Sequence, residues 1–243
     1  MGDCYITFCL TYFRRSFGWV SSFKPATLCR AEDGRPSCTG LRVGDRVVAL
    51  APHATEAVVA KERYVKIPDE VGDEAATFAI LGATTTHGMR RAGVRYGETV
   101  LVLGLGVVGL LSVMHARRSG AATVIVADPL AGKRSLAGRL GFDHVLDPGA
   151  DGYLHELESI TQGHRADLVI EASGAASALE TCFVSIAHHG RLLVQGTHLV
   201  PVPIDFSDYT MHQETTIIST WAIGSATTPG HRLPTLAPMR QTG

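Results

Sequence analysis

The sequence predicts an α/β chain in which a doubly wound parallel sheet follows a smaller β-rich domain. Three observations carry that prediction. From Glu98 onward, short apolar runs alternate with helical stretches, the pattern of a parallel sheet covered on both faces. Leu41–Pro68 has a different texture, with V-G-D-R-V-V-A-L, A-T-E-A-V-V-A and Y-V-K-I-P reading as short strands between polar turns. Between them, Asp73–Arg91 reads as helical and leads into the larger domain.

In the larger domain six strands are expected, at Thr99–Leu103, Thr123–Ala127, His144–Leu146, Asp167–Glu171, Arg191–Gln195 and Thr215–Thr220. Helices fill most of the gaps, at Val107–Ser119, Gly132–Leu140, Tyr153–Thr161 and Ala175–Ala187. Gly120, Gly141, Gly163 and Gly190 stand where these helices should stop. Domain bounds follow: an atypical segment over 1–40, the β-rich part over 41–95, the parallel-sheet domain over 96–224 and an irregular tail over 225–243. Residues 1–23 hold seven of the sixteen Phe, Trp and Tyr residues without a regular period. The tail holds Pro229, Pro234 and Pro238 and no pattern, so both ends read as added or truncated.

Composition excludes several classes of function. The chain has 243 residues, 45% of them hydrophobic, and a net charge of −1. That balance gives no electrostatic footprint for nucleic acid or an anionic membrane. The five cysteines are odd in number and form no C-x-x-C pair, which reads as reduced thiols in a cytoplasmic protein. Asp3 precedes the short apolar run Tyr5–Phe13 and the arginines follow it, the wrong polarity for a secretory signal. Val100–Met114 is nearly all apolar but falls short of the roughly 20 residues that span a bilayer.

The most specific stretch is Thr99–Asp128. An apolar strand runs into Gly104, Gly106 and Gly109, a helix follows, and a second strand ends on an acid. This is the pattern of a Rossmann dinucleotide-binding βαβ unit. Gly104 permits the tight turn, Gly106 a close approach of backbone to a pyrophosphate, and Gly109 close packing of the helix. The helix N-terminus offers unpaired N–H groups and a positive dipole end. Asp128, 24 residues after Gly104, is placed to accept the hydroxyls of an adenine ribose and to repel a 2′-phosphate, which favours NAD over NADP. The bland alternative is that Asp128 caps a turn with Pro129.

The residues resemble those of the medium-chain dehydrogenase/reductases, which include zinc-dependent alcohol and polyol dehydrogenases. The matching pieces are Val43–Val47, Tyr64–Asp69, Gly97–Gly109, Ala127–Pro129, Ala166–Gly174 and Gly190–Gly196, in the family's order over roughly residues 41–224. The resemblance implies a GroES-like β-rich domain before the Rossmann domain and an NAD(P)-linked oxidoreductase acting on a small alcohol, polyol or carbonyl. It places Gly104, Gly106, Val107, Val108 and Gly109 at the pyrophosphate, and Asp128 and Lys133 at the adenine ribose. It sets Ser173 and Gly174 beneath the cofactor, Gly196 and Thr197 near the nicotinamide, and Trp221 at the carboxamide. It also implies a homodimer formed through the edge strand Thr215–Thr220.

The catalytic half departs from the family pattern. Zinc dehydrogenases need three protein ligands and an open position. The first histidine here is His53, after the G-D-R-V strand that the family's Gly-His-Glu ligand segment precedes. The third ligand should fall near Phe78–Gly82, which reads F-A-I-L-G, and no cysteine lobe follows G-D-R-V. Zinc is therefore not expected. His53 and His87 are the histidines left as candidates for the domain cleft, His87 alone for proton transfer, and His188–His189 are read as capping a helix end. Alternatives are an NAD-binding fragment without turnover and a zinc-independent quinone or enone reductase. An S-adenosylmethionine-dependent methyltransferase is a remote third.

Overall fold

Leu101 and Leu103 of one strand are buried on one side of a sheet, while Val100 and Val102 between them are buried on the other. That alternation, with apolar residues at every position, is what a strand covered on both faces requires. The protein is described here by a computed structural model covering residues 4–8, 27–31, 41–42, 44–50, 56–59 and 64–220. It divides into two compact units at Ala83/Thr84.

The second unit carries a six-stranded sheet: β6 (Thr99–Leu103), β7 (Thr123–Ala127), β8 (His144–Leu146), β9 (Ala166–Glu171), β10 (Ile186–Val194) and β11 (Thr216–Ser219). All pairings are parallel and the order is β11-β10-β9-β6-β7-β8. The order reverses between β9 and β6, the switch point at which open α/β sheets hold ligands beyond the strand C-termini. One face packs on α5 (Tyr153–Ile160) and α6 (Ala176–Ser185) through Tyr153, Leu157, Leu179 and Phe183. The other packs on α2 (Ala79–Ala92), α3 (Val107–Arg118) and α4 (Ala131–Arg139) through Met89, Val113, Ala116 and Ala137. Each fully buried Val, Leu or Ile contributes about 1.5–3 kcal/mol of apolar transfer, so the double covering is the main support of this unit.

The first unit holds a five-stranded antiparallel sheet in the order β4-β1-β2-β3-β5, built from β1 (Cys4–Phe8), β2 (Thr27–Ala31), β3 (Arg46–Ala49), β4 (Glu56–Val59) and β5 (Tyr64–Lys66). Val48, Ile67 and Ala76 form its described core, with Ala76 on the short α1 (Asp73–Ala76). Arg46 pairs with Asp73 and donates to the Val71 carbonyl at 2.6 Å, tying β3 to the turn before α1. Two strands thus lie inside 1–40, where no period is legible. They are formed by pairing at a distance, Tyr5 with Val58 and Cys29 with Val47, which a local pattern does not reveal.

Two local expectations need correction. The expected continuous helix over Asp73–Arg91 is two helices, interrupted at Thr77–Phe78. The expected helix Ala175–Ala187, stopped by Gly190, ends at Ser185 and passes directly into β10, whose pairing with β9 is irregular between Ile186 and Arg191. Gly190 is there for close approach, since a Cβ on it would lie 2.5 Å from Ile186 and 2.7 Å from the Ala187 carbonyl. His188 and His189 therefore do not cap a helix. His189 takes the left-handed φ of +59°, donates its N–H to the Gln213 carbonyl and pairs with Glu214 at 3.1 Å. Among the described residues no helix is long and apolar enough to cross a membrane.

Candidate nucleotide-binding site

The three glycines after β6 divide into two kinds. Gly104 has φ +99°, and a Cβ on it would lie 2.8 Å from both the Cβ and the backbone nitrogen of Ser173. Gly109 sits in the first turn of α3, where a Cβ would fall 1.8 Å from the Gly104 carbonyl oxygen. Both are demanded by the fold itself. Gly106 differs, because it has an ordinary φ of −77° and a Cβ on it would meet nothing within 4 Å. It is the N-cap of a 12-residue helix and makes no side-chain cap. The amides of Val107, Val108 and Gly109 have no intrahelical acceptor, so they and the positive helix end face an open cradle. An anionic diphosphate fits such a cradle.

Asp128 follows β7 and is only 2% exposed. Its Oδ2 accepts the Leu105 N–H at 2.8 Å and lies 3.2 Å from Lys133 Nζ, while Oδ1 accepts the Leu130 N–H at 2.9 Å. The carboxylate thus clasps the glycine loop to the end of β7 and also begins the turn into α4. A carboxylate offers about four acceptor positions, so three are occupied and one remains for a hydroxyl. Arg134 adds a second brace, donating to the Asp128 and Pro129 carbonyls and pairing with Asp147 at 2.8 Å.

The loops after β9 and β10 close on one another. Gly174 has φ +71° and a Cβ on it would lie 2.8 Å from the Thr197 carbonyl. A Cβ on Gly196 would lie 2.2 Å from Glu171 Oε2 and 2.3 Å from the Gly174 nitrogen. At their centre is Glu171, fully buried at the end of β9. Its Oε1 accepts the Ser173 N–H at 2.7 Å, the Ser173 hydroxyl at 2.6 Å and the Gly174 N–H at 2.9 Å. Its Oε2 lies 3.0 Å from His198 Nε2. The thiol of Cys182 on α6 is pushed well above the ordinary range by burial, and further by the Glu171 charge.

Gly104, Gly106, Val107, Val108, Gly109, Asp128, Lys133, Ser173, Gly174, Gly196 and Thr197 thus all lie at the C-terminal ends of the parallel strands, on α3 or at the start of α4. Trp221 and His53 lie outside the described residues. His87 is partly buried in the middle of α2. Glu171 and His198 are not among the residues that the sequence singles out. An acid ending the apolar run D-L-V-I-E was a usable signal; nothing in the sequence pairs it with His198. Among the described residues no three His, Cys, Asp or Glu side chains group as a metal site.

Comparison with known proteins accords with this geometry. The family described as zinc-binding dehydrogenase matches residues 107–237. L-threonine 3-dehydrogenase of Pyrococcus horikoshii is 34% identical over 165 residues, 68% of this chain and 47% of its own length. D-guloside 3-dehydrogenase of Escherichia coli is 32% identical over 157 residues, 63% of this chain and 45% of its own. The chain therefore spans about half the length of the curated relatives it matches. A zinc-binding dehydrogenase structure from Sinorhizobium meliloti, bound to NADP, superposes with a TM-score of 0.74 at 19% identity, covering 90% of this chain and 77% of that one. With its six-stranded switch-point sheet, its glycine loop and a family match across more than half its length, this chain belongs to the zinc-binding dehydrogenase family of the medium-chain dehydrogenase/reductases.

Proposed function

We propose that this chain is an NAD-dependent oxidoreductase that moves a hydride between the nicotinamide and a small alcohol, polyol or carbonyl compound. The observation that carries the reading is the open cradle at Gly106 and the first turn of α3, with Asp128 beside it at the end of β7. Val107, Val108 and Gly109 would hold the pyrophosphate with backbone amides. Asp128 would accept an adenine-ribose hydroxyl on its remaining lone pair, with Lys133 alongside. Ser173, Gly174, Gly196 and Thr197 would form the floor under the second nucleotide, and Trp221 would meet the carboxamide. When bound, the nicotinamide supplies the hydride chemistry; the protein's part is to hold the ring and keep water away.

NAD is preferred over NADP in this reading because a 2′-phosphate would face the Asp128 carboxylate. The Sinorhizobium meliloti protein carries NADP, so the fold alone does not select the cofactor. Zinc independence is part of the proposal, supported by a sequence with no histidine before His53 and F-A-I-L-G at the third ligand position. A charge developing on the substrate oxygen then needs another donor, and His87 is the sequence-derived candidate. A homodimer through β11 is supported by that strand's place at the sheet edge, paired among the described strands with β10 alone. A cytoplasmic location is supported by five cysteines without a C-x-x-C pair.

Fluorescence titration with NADH and NADPH tests the binding claim, and a panel of alcohols, polyols and carbonyls tests turnover. Tighter binding of NADH with NAD-linked turnover is expected; equal affinities refute the cofactor preference. Binding without turnover across the panel assigns the chain the alternative role of a nucleotide-binding unit, and turnover only of enones with NADPH assigns the reductase reading.

A further inference from the structure

Gln195 directly follows the apolar run Leu192–Val194 of β10, yet it is buried, at 7% exposure. Burying an amide costs free energy unless its donors and its acceptor find partners, a demand that a leucine would not make. Two helices supply those partners. The Thr85 carbonyl on α2 can only accept, so it takes the Nε2 end of the amide, at 3.4 Å. That leaves Oε1 for the hydroxyl of the fully buried Ser112 on α3, at 2.7 Å. Helix α2 is shaped around the same amide, since a Cβ on Gly88 would fall 2.0 Å from Gln195 Nε2.

The backbone of Gln195 is fixed as well. Its N–H and that of Gly196 both donate to the Glu171 carbonyl, at 2.8 and 2.9 Å. On α3 the single proton of the Ser112 hydroxyl is shared between Gln195 Oε1 and the Val108 carbonyl at 2.9 Å. Val108 belongs to the first turn of α3, whose amides face the open cradle. A continuous path of hydrogen bonds therefore runs from that turn, through Ser112 and Gln195, to the loops after β9 and β10. It crosses the switch point, because α3 follows β6 in one half of the sheet and Gln195 ends β10 in the other. An apolar side chain at 195 would fill the space in more than one setting of the helix, whereas a satisfied buried network specifies one.

We propose that Gln195 is a positioning residue that sets the distance between α3 and the Gly196–Thr197 loop, so that one extended ligand can meet both halves of the sheet. This rests on the nucleotide-binding reading above, in which α3 takes the pyrophosphate and Gly196 and Thr197 lie under the second nucleotide. Gln195 itself touches no ligand, and no bond is made or broken. Its part is preorganisation. Without the tie the loop relaxes, and binding must restore its place, which weakens only those ligands that use both halves.

The test compares two ligands on three variants. ADP carries the adenine ribose and the diphosphate and ends there, whereas NADH spans both halves. Gln195→Met keeps the length of the side chain and removes both ends of the amide; Ser112→Ala removes a single oxygen from α3 and is the gentler change. Each is expected to bind NADH about fivefold more weakly, the loss of one net hydrogen bond, with ADP affinity unchanged. The double variant is expected to bind NADH within about twofold of either single one, because both substitutions cut the same tie. A merely structural role lowers the melting temperature and leaves the ratio of NADH to ADP affinity where it was. An unchanged ratio in Ser112→Ala overturns the proposal, as do losses that multiply in the double variant. Failure of the wild-type protein to bind NADH overturns the nucleotide-binding reading itself, whatever the variants do.

Discussion

Gly109→Ala and Gly106→Ala add the same methyl group three residues apart, and the structure predicts opposite outcomes for them. At Gly109 the new carbon falls 1.8 Å from the Gly104 carbonyl oxygen, roughly 1.5 Å inside van der Waals contact. Neither atom can yield cheaply. The carbonyl belongs to a turn at φ +99° braced by Ser173, and the carbon to the first turn of α3, whose Val113 and Ala116 are in the core. The helix or the loop must shift, at a cost of about 3 kcal/mol, the upper end of ordinary overpacking. For a unit of this size that lowers the melting temperature by about 6–12 °C.

At Gly106 the same carbon enters open space on a backbone any residue adopts. Alanine is a poorer N-cap than glycine by about 0.5–1 kcal/mol. Its stiffer unfolded chain returns about 0.4–1 kcal/mol, so stability should stay within about 0.5 kcal/mol of wild type. Nucleotide affinity should not survive, because the methyl occupies the approach to the α3 amides. A drop in NADH affinity of about tenfold or more is expected, equivalent to about 1.4 kcal/mol. Thermal unfolding and NADH fluorescence titration on the two variants give four numbers. If Gly106→Ala melts as low as Gly109→Ala, or binds NADH as well as wild type, the division into fold glycines and a ligand glycine is wrong.

Two further perturbations probe the braces around the site. Asp128→Ala strips the acceptor from the Leu105 and Leu130 amides and from Lys133 in a buried setting; a loss of about 2–4 kcal/mol by chemical denaturation is expected, together with convergence of NADH and NADPH affinities. Glu98 is bound by the Arg191 fork at 2.7 and 2.9 Å and by the Arg95 N–H at 2.8 Å. Burial pushes its carboxyl upward, but the Arg191 and Arg95 hydrogen bonds and charges outweigh that and hold it below the ordinary 4.5. A depressed carboxylate stabilises the fold fully above its unfolded value and ceases to do so as pH falls through the folded one. Wild-type stability should therefore fall as pH drops below about 4.5, and Glu98→Gln should lose stability at neutral pH and show a flatter acid limb in denaturation curves collected over pH 3–7.

What was legible in the sequence was whatever local chemistry determines. The bounds of β6, β7 and β8 coincide with the apolar runs, and Gly120 and Gly141 end helices with φ of +92° and +75° as their positions suggest. Gly190 obeyed the same local rule on paper, yet its place is set by Ile186 and Ala187 folding back on it, and His189 takes the left-handed turn instead. The strands β1 and β2 leave no local pattern because short strands are stabilised by partners far along the chain. The Glu171–His198 contact joins residues 27 apart and exists only because the loops after β9 and β10 press together at Gly174 and Gly196. Pattern rules see a loop's composition, not which other loop it meets.

The two buried acids show one device used twice, and it bears on how a cofactor would be chosen. Asp128 gathers amides of the glycine loop and of the turn after β7; Glu171 gathers amides of the loop after β9. In each case the cost of burying a charge is offset by several charge-assisted hydrogen bonds, and the loop is held rigid at the strand end. An acid at the end of the second strand is thus a structural clasp before it meets any ligand. Asp128 has one acceptor position left, so taking both ribose hydroxyls requires Lys133, whose side chain is 42% exposed, to release Oδ2. The same lysine, once released, would be a cation beside the carboxylate able to meet a 2′-phosphate. In the proposed reading, selection between NAD and NADP would therefore turn on where Lys133 points as much as on the charge of Asp128, and substituting Asp128 alone would test the clasp and the selectivity together.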